Sequence, residues 1–142
     1  MSMADTNAII NAYLSSAAAA SLIALVSDRI YSPRLPARAT LPAVSFFTRG
    51  GTSRAYTPNL PQPSVQFDCW ADDPITARNV YNKLYDALQL GRKFAPVSVT
   101  VGANTYYILE AEEEMPGQDL VDSEVPNYFR VLGFFSIWIK VD

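Results

Sequence analysis

The stretch Val65-Gln66-Phe67-Asp68-Cys69-Trp70-Ala71-Asp72-Asp73-Pro74 decides the fold of this chain. Every second residue from Val65 to Cys69 is apolar, which predicts a β-strand with one apolar side. Asp73 is placed to cap a following helix. Pro74 suits the first helical position, because proline lacks only a backbone donor that has no partner there. The stretch therefore predicts a strand that passes directly into a capped helix.

Two amphipathic helices are predicted, at residues 6–26 and at residues 75–90. Gly91 stands where a left-handed C-terminal cap of the second helix is expected. In the first helix, apolar and small residues recur at helical spacing: Ile9, Ile10, Tyr13, Leu14, Ala17, Ala20, Ser21 and Ala24. In the second helix, one apolar stripe consists of Ala77, Val80, Tyr81, Leu84, Ala87 and Leu88.

The remaining apolar segments read as strands. Residues 97–101 alternate cleanly, Gly102 and Ala103 make a tight turn, and residues 104–109 return as the second arm of a hairpin. Further strands are predicted at 42–48, 64–70 and 128–141. The expected order is α-β-β-α-β-β-β, a single α+β domain over residues 1–142. It has an antiparallel-rich sheet of about four to five strands, with both helices packed on one face.

The segments between these elements are predicted to be irregular. Residues 28–41 contain two prolines in a polar, arginine-rich context and read as an extended connector. Residues 49–63 and residues 110–127 are rich in glycine, proline and polar residues and are expected to form long loops. Loops of that length in a compact domain are often functional.

The last strand is apolar on both of its faces. Phe129, Val131, Phe135 and Ile137 would lie on one face, and Leu132, Phe134 and Trp138 on the other. A strand that is apolar on both faces is usually covered by other parts of the structure on both sides. With only two predicted helices, the second cover is either another subunit or a local sandwich within the domain.

Composition narrows the class of protein. The chain has 142 residues, 49% of them hydrophobic, which suits one folded domain and not a disordered chain. No apolar run approaches the roughly 20 residues that a membrane-spanning helix needs. No basic region precedes an apolar segment at the N-terminus, so a secretory signal is not expected. The lone Cys69 rules out an internal disulfide framework and fits a reducing compartment.

Charge is distributed unevenly along the chain, although the net charge is only −3. The segment 28–54 contains five arginines and one acid, and the arginines are Arg29, Arg34, Arg38, Arg49 and Arg54. The segment 110–124 contains seven acids and no base: Glu110, Glu112, Glu113, Glu114, Asp119, Asp122 and Glu124. Either these are two solvated loops, or they form opposite surfaces suited to head-to-tail contact between copies.

Catalytic motifs are not found in the sequence. There is no histidine, which excludes Ser-His-Asp triads and histidine metal sites. Cys69 has no histidine to activate it and is expected to be a buried structural thiol. The segment 50–53, Gly-Gly-Thr-Ser, lacks the ending of a phosphate-binding loop, and residues 112–114 lack the spacing of a calcium loop. We expect neither an enzyme nor a cofactor or metal.

Specific binding of nucleic acid is not expected either. The segment 29–54 is basic and Tyr56 lies nearby, but the isoelectric point of about 4.8 opposes a strong DNA footprint. A channel that lets DNA slide would instead be lined with acids that repel phosphates. The acidic segment is a candidate for such a lining.

Several landmarks, taken in order, carry a resemblance to a known family. The first is Val26-Ser27-Asp28-Arg29-Ile30-Tyr31, followed by a proline-bearing connector and Leu41-Pro42-Ala43-Val44-Ser45-Phe46. The stretch from Val65 to Asp72 and the helix with Ala77, Val80, Leu84, Ala87 and Leu88 come next. The last is Phe134-Phe135-Ser136-Ile137-Trp138. Over residues 8–140 this arrangement resembles the tail-completion, or tail terminator (tail-to-head joining), proteins of long-tailed bacteriophages. The segments 52–63 and 110–126 look longer than the shared core.

The resemblance implies a structural virion protein. Such proteins assemble as a ring, typically of six copies, on the head-proximal end of the tail tube, where they end polymerisation and join the tail to the head. The implied partners are further copies of the chain, the major tail tube protein and a head-closure or connector protein. Genomic DNA would pass through the lumen without specific binding, and no membrane is involved. The protein would be made in the host cytoplasm and reside at the head–tail junction. The alternatives are another junction component, such as a head-closure or connector protein, and a small α+β ligand-binding module.

Two groups of residues are candidates for contacts in that ring. The expected subunit or partner interface comprises Arg29, Arg34, Arg38, Arg49, Arg54, Tyr56, Phe134 and Trp138. The acidic group, facing either the lumen or a neighbouring subunit, comprises Glu112, Glu113, Glu114, Asp119, Asp122 and Glu124.

Overall fold

The computed structural model describes residues 6–16, 19–32, 34–36, 39–52, 62–89, 97–121 and 128–141. Within these ranges the chain forms three helices and six strands. The helices are α1 (Thr6–Leu14), α2 (Ala20–Val26) and α3 (Pro74–Gln89). The strands are β1 (Ile30–Tyr31), β2 (Ala43–Thr52), β3 (Gln62–Ala71), β4 (Val97–Val101), β5 (Asn104–Val121) and β6 (Phe129–Val141).

All six strands belong to one sheet with the order β1-β2-β3-β6-β5-β4. The short β1 pairs with β2 in parallel, and every other neighbouring pair is antiparallel. The sheet thus has more strands than the four to five expected, while the α+β class and the antiparallel character are confirmed.

The three helices pack on one face of the sheet, around one hydrophobic core. Helix α3 contacts β3, β5 and β6, and α1 contacts β1, β2 and β4. The inward side chains of the central strands are fully buried, among them Val65, Phe67, Phe135, Ile137 and Ile139. Burial of these large apolar side chains is the main stabilising term of the fold.

The junction between β3 and α3 forms as the sequence predicts. Val65, Phe67 and Cys69 are buried on the helix side. Helix α3 begins at Pro74, and the Asp73 carboxylate accepts hydrogen bonds from the Thr76 backbone N–H at 2.8 Å and from its hydroxyl at 2.6 Å. These bonds satisfy a donor that the first helical turn would otherwise leave unpaired.

The prediction of one long helix over residues 6–26 is wrong, because the helix is interrupted after Leu14. The Ser16 hydroxyl donates to the Tyr13 carbonyl at 2.5 Å, a local bond that competes with the helical backbone pattern. After the interruption the buried face rotates: α2 buries Leu22 and Val26 and exposes Ser21 and Ala24, which the single-helix pattern had placed inward.

Helix α1 is fixed to α3 by one buried hydrogen bond. The Tyr13 hydroxyl donates to the Ala87 carbonyl at 2.5 Å, and burial raises the pKa of Tyr13. A tyrosine in a core usually needs such a partner, because an unpaired buried hydroxyl is costly.

The predicted loops are also corrected by the structure. Residues 110–121 continue β5 and pair with β6, with register shifts between Ile108 and Glu110 and between Glu113 and Gln118. Residues 49–52 extend β2 and residues 62–63 begin β3; residues 53–61 and 122–127 lie outside the described part. The connector predicted at 28–41 contains β1, which forms because Ile30 and Tyr31 pair with Val44 and Ser45.

Candidate functional site

The candidate site is the face of the sheet that points away from the helices, which we call the outer face. It is formed by alternate residues of β2, β3 and β6: Ser45, Phe47, Arg49, Ser64, Gln66, Asp68, Trp70, Arg130, Leu132, Phe134, Ser136, Trp138 and Lys140. None of the three described helices packs on this face, because all of them join the core on the other side.

Aromatic and aliphatic side chains on the outer face are only half-buried. This group consists of Phe47, Trp70, Leu132, Phe134 and Trp138. The sequence predicted that the last strand would be apolar on both sides, and the register confirms that Leu132, Phe134 and Trp138 share one face. Partly exposed aromatic side chains of this kind are common at sites of contact with another protein.

One end of the outer face holds a network around Asp68. The Arg130 guanidinium lies 3.5 Å from the Asp68 carboxylate and 5.2 Å from the centre of the Trp70 ring. The Trp70 indole N–H donates to the Ser45 hydroxyl at 2.9 Å, and Tyr128 contacts the Trp70 ring edge to face. Cross-strand pairing explains the network, since Ser45, Asp68 and Leu132 lie in one row of the sheet and Ala43, Trp70 and Arg130 in the next.

Asp68 is the most deeply buried acid among the described residues, with 6% of its surface exposed. Burial raises the pKa of Asp68, while the Arg130 charge and a hydrogen bond from Gln66 act in the opposite direction. The net shift is upward, so the long ion pair with Arg130 does not fully offset the loss of hydration.

A second polar cluster crosses the outer face from β2 to β5. The Arg49 guanidinium lies 3.1 Å from the Glu114 carboxylate and 4.0 Å from the centre of the Phe134 ring. The Ser64 hydroxyl donates to Glu114 at 2.7 Å and accepts from Arg49 at 3.2 Å. Arg49 and Glu114, expected to contact partners, therefore neutralise each other within one chain.

On the helix side of the sheet, side chains of α3 bind acidic residues of β5. Tyr81 donates a short hydrogen bond to the Glu113 carboxylate, and Arg78 forms an ion pair with Asp119 at 2.6 Å. Burial, followed by the bond to Glu113, raises the pKa of Tyr81. Glycines give the tyrosine its space, because a Cβ on Gly133 would lie 2.5 Å from the Tyr81 ring.

The predicted interface arginines have different roles in the structure. Arg29 is half-buried and donates from Nε to the Pro42 carbonyl at 2.8 Å, which holds the chain before β2 against the end of α2. Arg34 is exposed, and Arg49 belongs to the cluster with Glu114. Of the residues predicted for contacts, Arg38, Arg54, Tyr56, Asp122 and Glu124 lie outside the described residues.

The predicted acidic group is divided by its position on β5. Glu113 and Asp119 are bound to α3, and Glu114 is bound to β2 and β3. Glu112 is exposed and lies opposite Ser136 on the outer face. The structure therefore does not gather these acids into one solvated loop.

The described part of the chain offers little for chemistry. Cys69 is fully buried, as predicted, and burial raises the pKa of its thiol. No group of three or more acids and cysteines within the described ranges is arranged to hold a metal ion. A shallow cavity of about 170 Å³ near the start of α3 is lined mainly by apolar groups, including Ala77, Leu120 and Val131. None of the described helices is long and apolar enough to cross a bilayer.

Comparison with known proteins gives no family: neither a protein-family model nor a curated protein matches this sequence. Sequence reasoning named Phe134 and Trp138 as interface candidates, which stays a prediction, and it missed the cluster of Asp68, Trp70 and Arg130. Alternation did place Asp68 and Trp70 on the same side of their strand. Their contact with Arg130 depends on the pairing of β3 with β6, which no local pattern in the sequence specifies.

Proposed function

We propose that this protein is a structural tail terminator of a long-tailed bacteriophage. In this proposal, copies of the chain form a ring, typically of six, on the head-proximal end of the tail tube. The ring ends polymerisation of the tube and joins the tail to the head through a head-closure or connector protein. The protein acts by assembly and not by catalysis, and genomic DNA passes through the ring without specific contacts.

The observation that carries the proposal is the outer face, on which none of the described helices packs. Half-buried Leu132, Phe134 and Trp138 lie there beside charges that already pair within the chain, Arg49 with Glu114 and Arg130 with Asp68. A surface with partly exposed aromatic side chains and with these charges paired in the chain favours a protein neighbour over a phosphate backbone, which needs unpaired positive charge. In this proposal, a neighbouring protein at the junction packs on this face of the terminal strand.

The proposal is tested by making the chain together with the tube protein of its virus and imaging the products by electron microscopy. We expect a ring at one end of each tube and tubes of limited length. Tubes that bear no ring and grow without limit in the presence of the protein would contradict the proposal. A ring on the portal side of isolated heads would instead indicate a head-closure or connector protein.

A substitution on the outer face tests the surface that supports the proposal. Leu132→Asp places a charge among half-buried apolar side chains, so we expect a folded protein that no longer caps tubes. Ala103→Asp is the matched control, because Ala103 is exposed in the turn between β4 and β5. Capping by Leu132→Asp equal to that of the control would show that the outer face is not a contact surface.

Arg34 and Arg38 provide a second test of assembly. Arg34 is exposed and has no acid within ion-pair distance among the described residues. If the basic connector contacts an acidic surface of the next copy, reversing both charges to glutamate should reduce ring formation. Unchanged assembly of this double variant would remove the connector from the proposed interface.

A further inference from the structure

Two segments at opposite edges of the sheet have no strand beside them among the described residues. Strand β1 pairs with β2 at Val44 and Ser45, and this parallel pairing uses the Phe46 N–H, so residues 47–52 of β2 form one open edge. Strand β4 pairs with β5 from Asn104 to Ile108, and side chains of α3 donate to the Ala111 and Gly117 carbonyls, so residues 112–116 of β5 form the other open edge. We call these the β2 edge and the β5 edge.

Backbone groups on the β2 edge point outward. The Val44 N–H donates to the Arg29 carbonyl at 3.0 Å, which shows that Val44 directs its backbone groups away from β3. Because the direction alternates along a strand, Phe46 and Thr48 direct theirs to the same side, and of these two only the Thr48 N–H lies beyond the pairing with β1. An edge of this kind is a template for another strand, and proteins usually shield it or use it.

The two open edges lie at the same height in the sheet. The register runs from Thr48 across Val65 and Phe135 to Glu113. The covered part of β2 is level with a different part of β5, since Val44 aligns through Cys69 and Val131 with Asp119. A second copy placed beside the first without vertical displacement would therefore bring one open edge against the other.

The strand directions also match. From β2 to β5 there are three successive antiparallel pairings, through β3 and β6, so β5 runs antiparallel to β2. In a head-to-tail ring, the β2 strand of the next copy keeps the direction of the first copy's β2 strand. It would consequently pair with β5 in the antiparallel manner, and the sheet would continue from copy to copy.

Two exposed positions would face each other across the two edges. Arg49 is level with Ser64, to which it donates, and Ser64 aligns through Ser136 with Glu112. Glu112 is exposed on the outer face, so residue 49 of the next copy would lie beside it. The Arg49 guanidinium keeps its contacts with Glu114 and Phe134 of its own chain, so backbone pairing and not a new ion pair would hold the two copies together.

We propose that copies of this chain join by antiparallel pairing of the β2 edge of one copy with the β5 edge of the next, which extends the sheet around the ring. This inference rests on the proposed function, because it specifies how the ring would be built. It names the contact surface as backbone edges, with residues 49 and 112 at facing positions.

Engineered cysteines test the pairing directly in tube-bound protein. The double variant Arg49→Cys with Glu112→Cys places a thiol on each edge at the facing positions, and the native Cys69 is too buried to interfere. We expect mild oxidation to give covalent multimers up to the size of the ring. The matched control, Arg49→Cys with Lys140→Cys, keeps one edge thiol and moves the other to an exposed residue outside the open edges, and it should stay monomeric in a denaturing gel.

The outcomes separate this inference from the proposed function. Rings seen by electron microscopy that cross-link no better than the control would overturn the edge pairing and leave the terminator function standing. Absence of any ring with the unmodified protein would overturn the proposed function, and the edge pairing with it. Multimers specific to the edge pair would support both.

Hydrogen exchange on the unmodified protein gives a second measurement, which does not depend on how a variant folds. In the free chain, the outward amide of Thr48 should exchange quickly compared with those of the inner strands. In the assembled ring we expect its exchange to slow at least tenfold. Equal exchange rates in free and ring-bound protein would overturn the pairing.

Discussion

The two faces of strand β6 differ in cover, although both are apolar. On the helix side, Val131, Phe135 and Ile137 are at most 1% exposed and pack in the core. On the outer face, Leu132, Phe134 and Trp138 are half-buried and lie among polar and charged groups. The residues alternate along a single strand, so the difference arises from what lies above each face and not from residue type.

The comparison shows that residues of similar hydrophobicity on one strand contribute differently to the stability of the fold. The inner face stabilises the fold, because its side chains leave water when the helices pack against it. The outer face keeps similar side chains partly in water, where they contribute less to folding and remain able to contact a partner. The following predictions test this division, from the largest expected effect to the smallest.

The largest expected effect is the loss of a core side chain on the inner face. Phe135 is fully buried and contacts the rings of Phe67, Tyr81 and Tyr85. Phe135→Ala should lower the free energy of unfolding by about 3–5 kcal/mol. Phe134→Ala, its neighbour on the outer face, should cost about 1 kcal/mol, because it loses only partial burial and the contact with Arg49. Chemical denaturation of both variants measures the difference, and equal costs would refute the division.

A smaller loss of stability is expected when a side chain is added where the inner face is closely packed. A Cβ on Gly133 would lie 2.5 Å from the Tyr81 ring, so Gly133→Ala should destabilise the fold by about 1–3 kcal/mol through overpacking. The control is the same change in a Tyr81→Ala background, where the space is empty and the cost should largely disappear. A cost that is unchanged in that background would show that the strain lies elsewhere.

On the outer face, Asp68 makes the stability of the fold depend on pH. Burial raises the pKa of this carboxyl above its value in the unfolded chain, so the folded state binds the proton more tightly. Asp68 therefore lowers stability at neutral pH, and this cost is relieved as the pH falls through the raised folded pKa. Asp68→Asn should be more stable than the wild type at pH 7, with the difference shrinking on acidification in denaturant titrations.

Asp73 serves as a control of opposite sign. Hydrogen bonds from Thr76 hold the pKa of Asp73 below its usual value, so the carboxylate stabilises the fold above the unfolded pKa of about 3.9. This stability is lost as the pH falls through the lowered folded pKa. Asp73→Asn should be less stable than the wild type at neutral pH, with the difference fading in acid. The same sign of pH dependence at Asp68 and Asp73 would contradict the assignment.

The smallest effects are expected for the ion pairs that hold β5. Asp119 is 68% exposed in its side chain and Glu114 is 30% exposed, so Asp119→Asn and Glu114→Gln should each cost less than about 1 kcal/mol. Added salt should reduce both costs further. If thermal unfolding shows that either variant loses much more stability than this, the ion pairs, and not the inner face, would govern the stability of β5.

Much of the fold follows from local patterns in the sequence. The alternation at Val65–Cys69, the cap at Asp73 and the stripe on α3 all form as predicted, because each depends on residues a few positions apart. The hairpin of β4 and β5 was predictable for the same reason. The first helix was predicted too long, because a serine that bonds back to the Tyr13 carbonyl ends it.

Residues 110–121 mark where local reasoning failed. Four glutamates, a proline and a glycine are typical of a loop, yet the segment is a strand, since β6 offers it a partner and Tyr81, Arg78 and Arg49 bind its acids. Tertiary pairing outweighs the weak strand preference of these residues. The Asp68 cluster was missed for a similar reason, because Arg130 is 62 residues away in sequence.

The sequence by itself determined the α+β class, the buried Cys69, the capped junction and the two-faced apolar character of the last strand. These properties depend on the spacing of residues along the chain. In a strand or a helix, that spacing decides directly which face each side chain lies on. Only the tertiary structure decided which face of β6 the helices cover, which charges pair within the chain and which strand edges have no strand beside them among the described residues. Those outcomes depend on the order and register of strands, which are set by contacts between residues far apart in sequence.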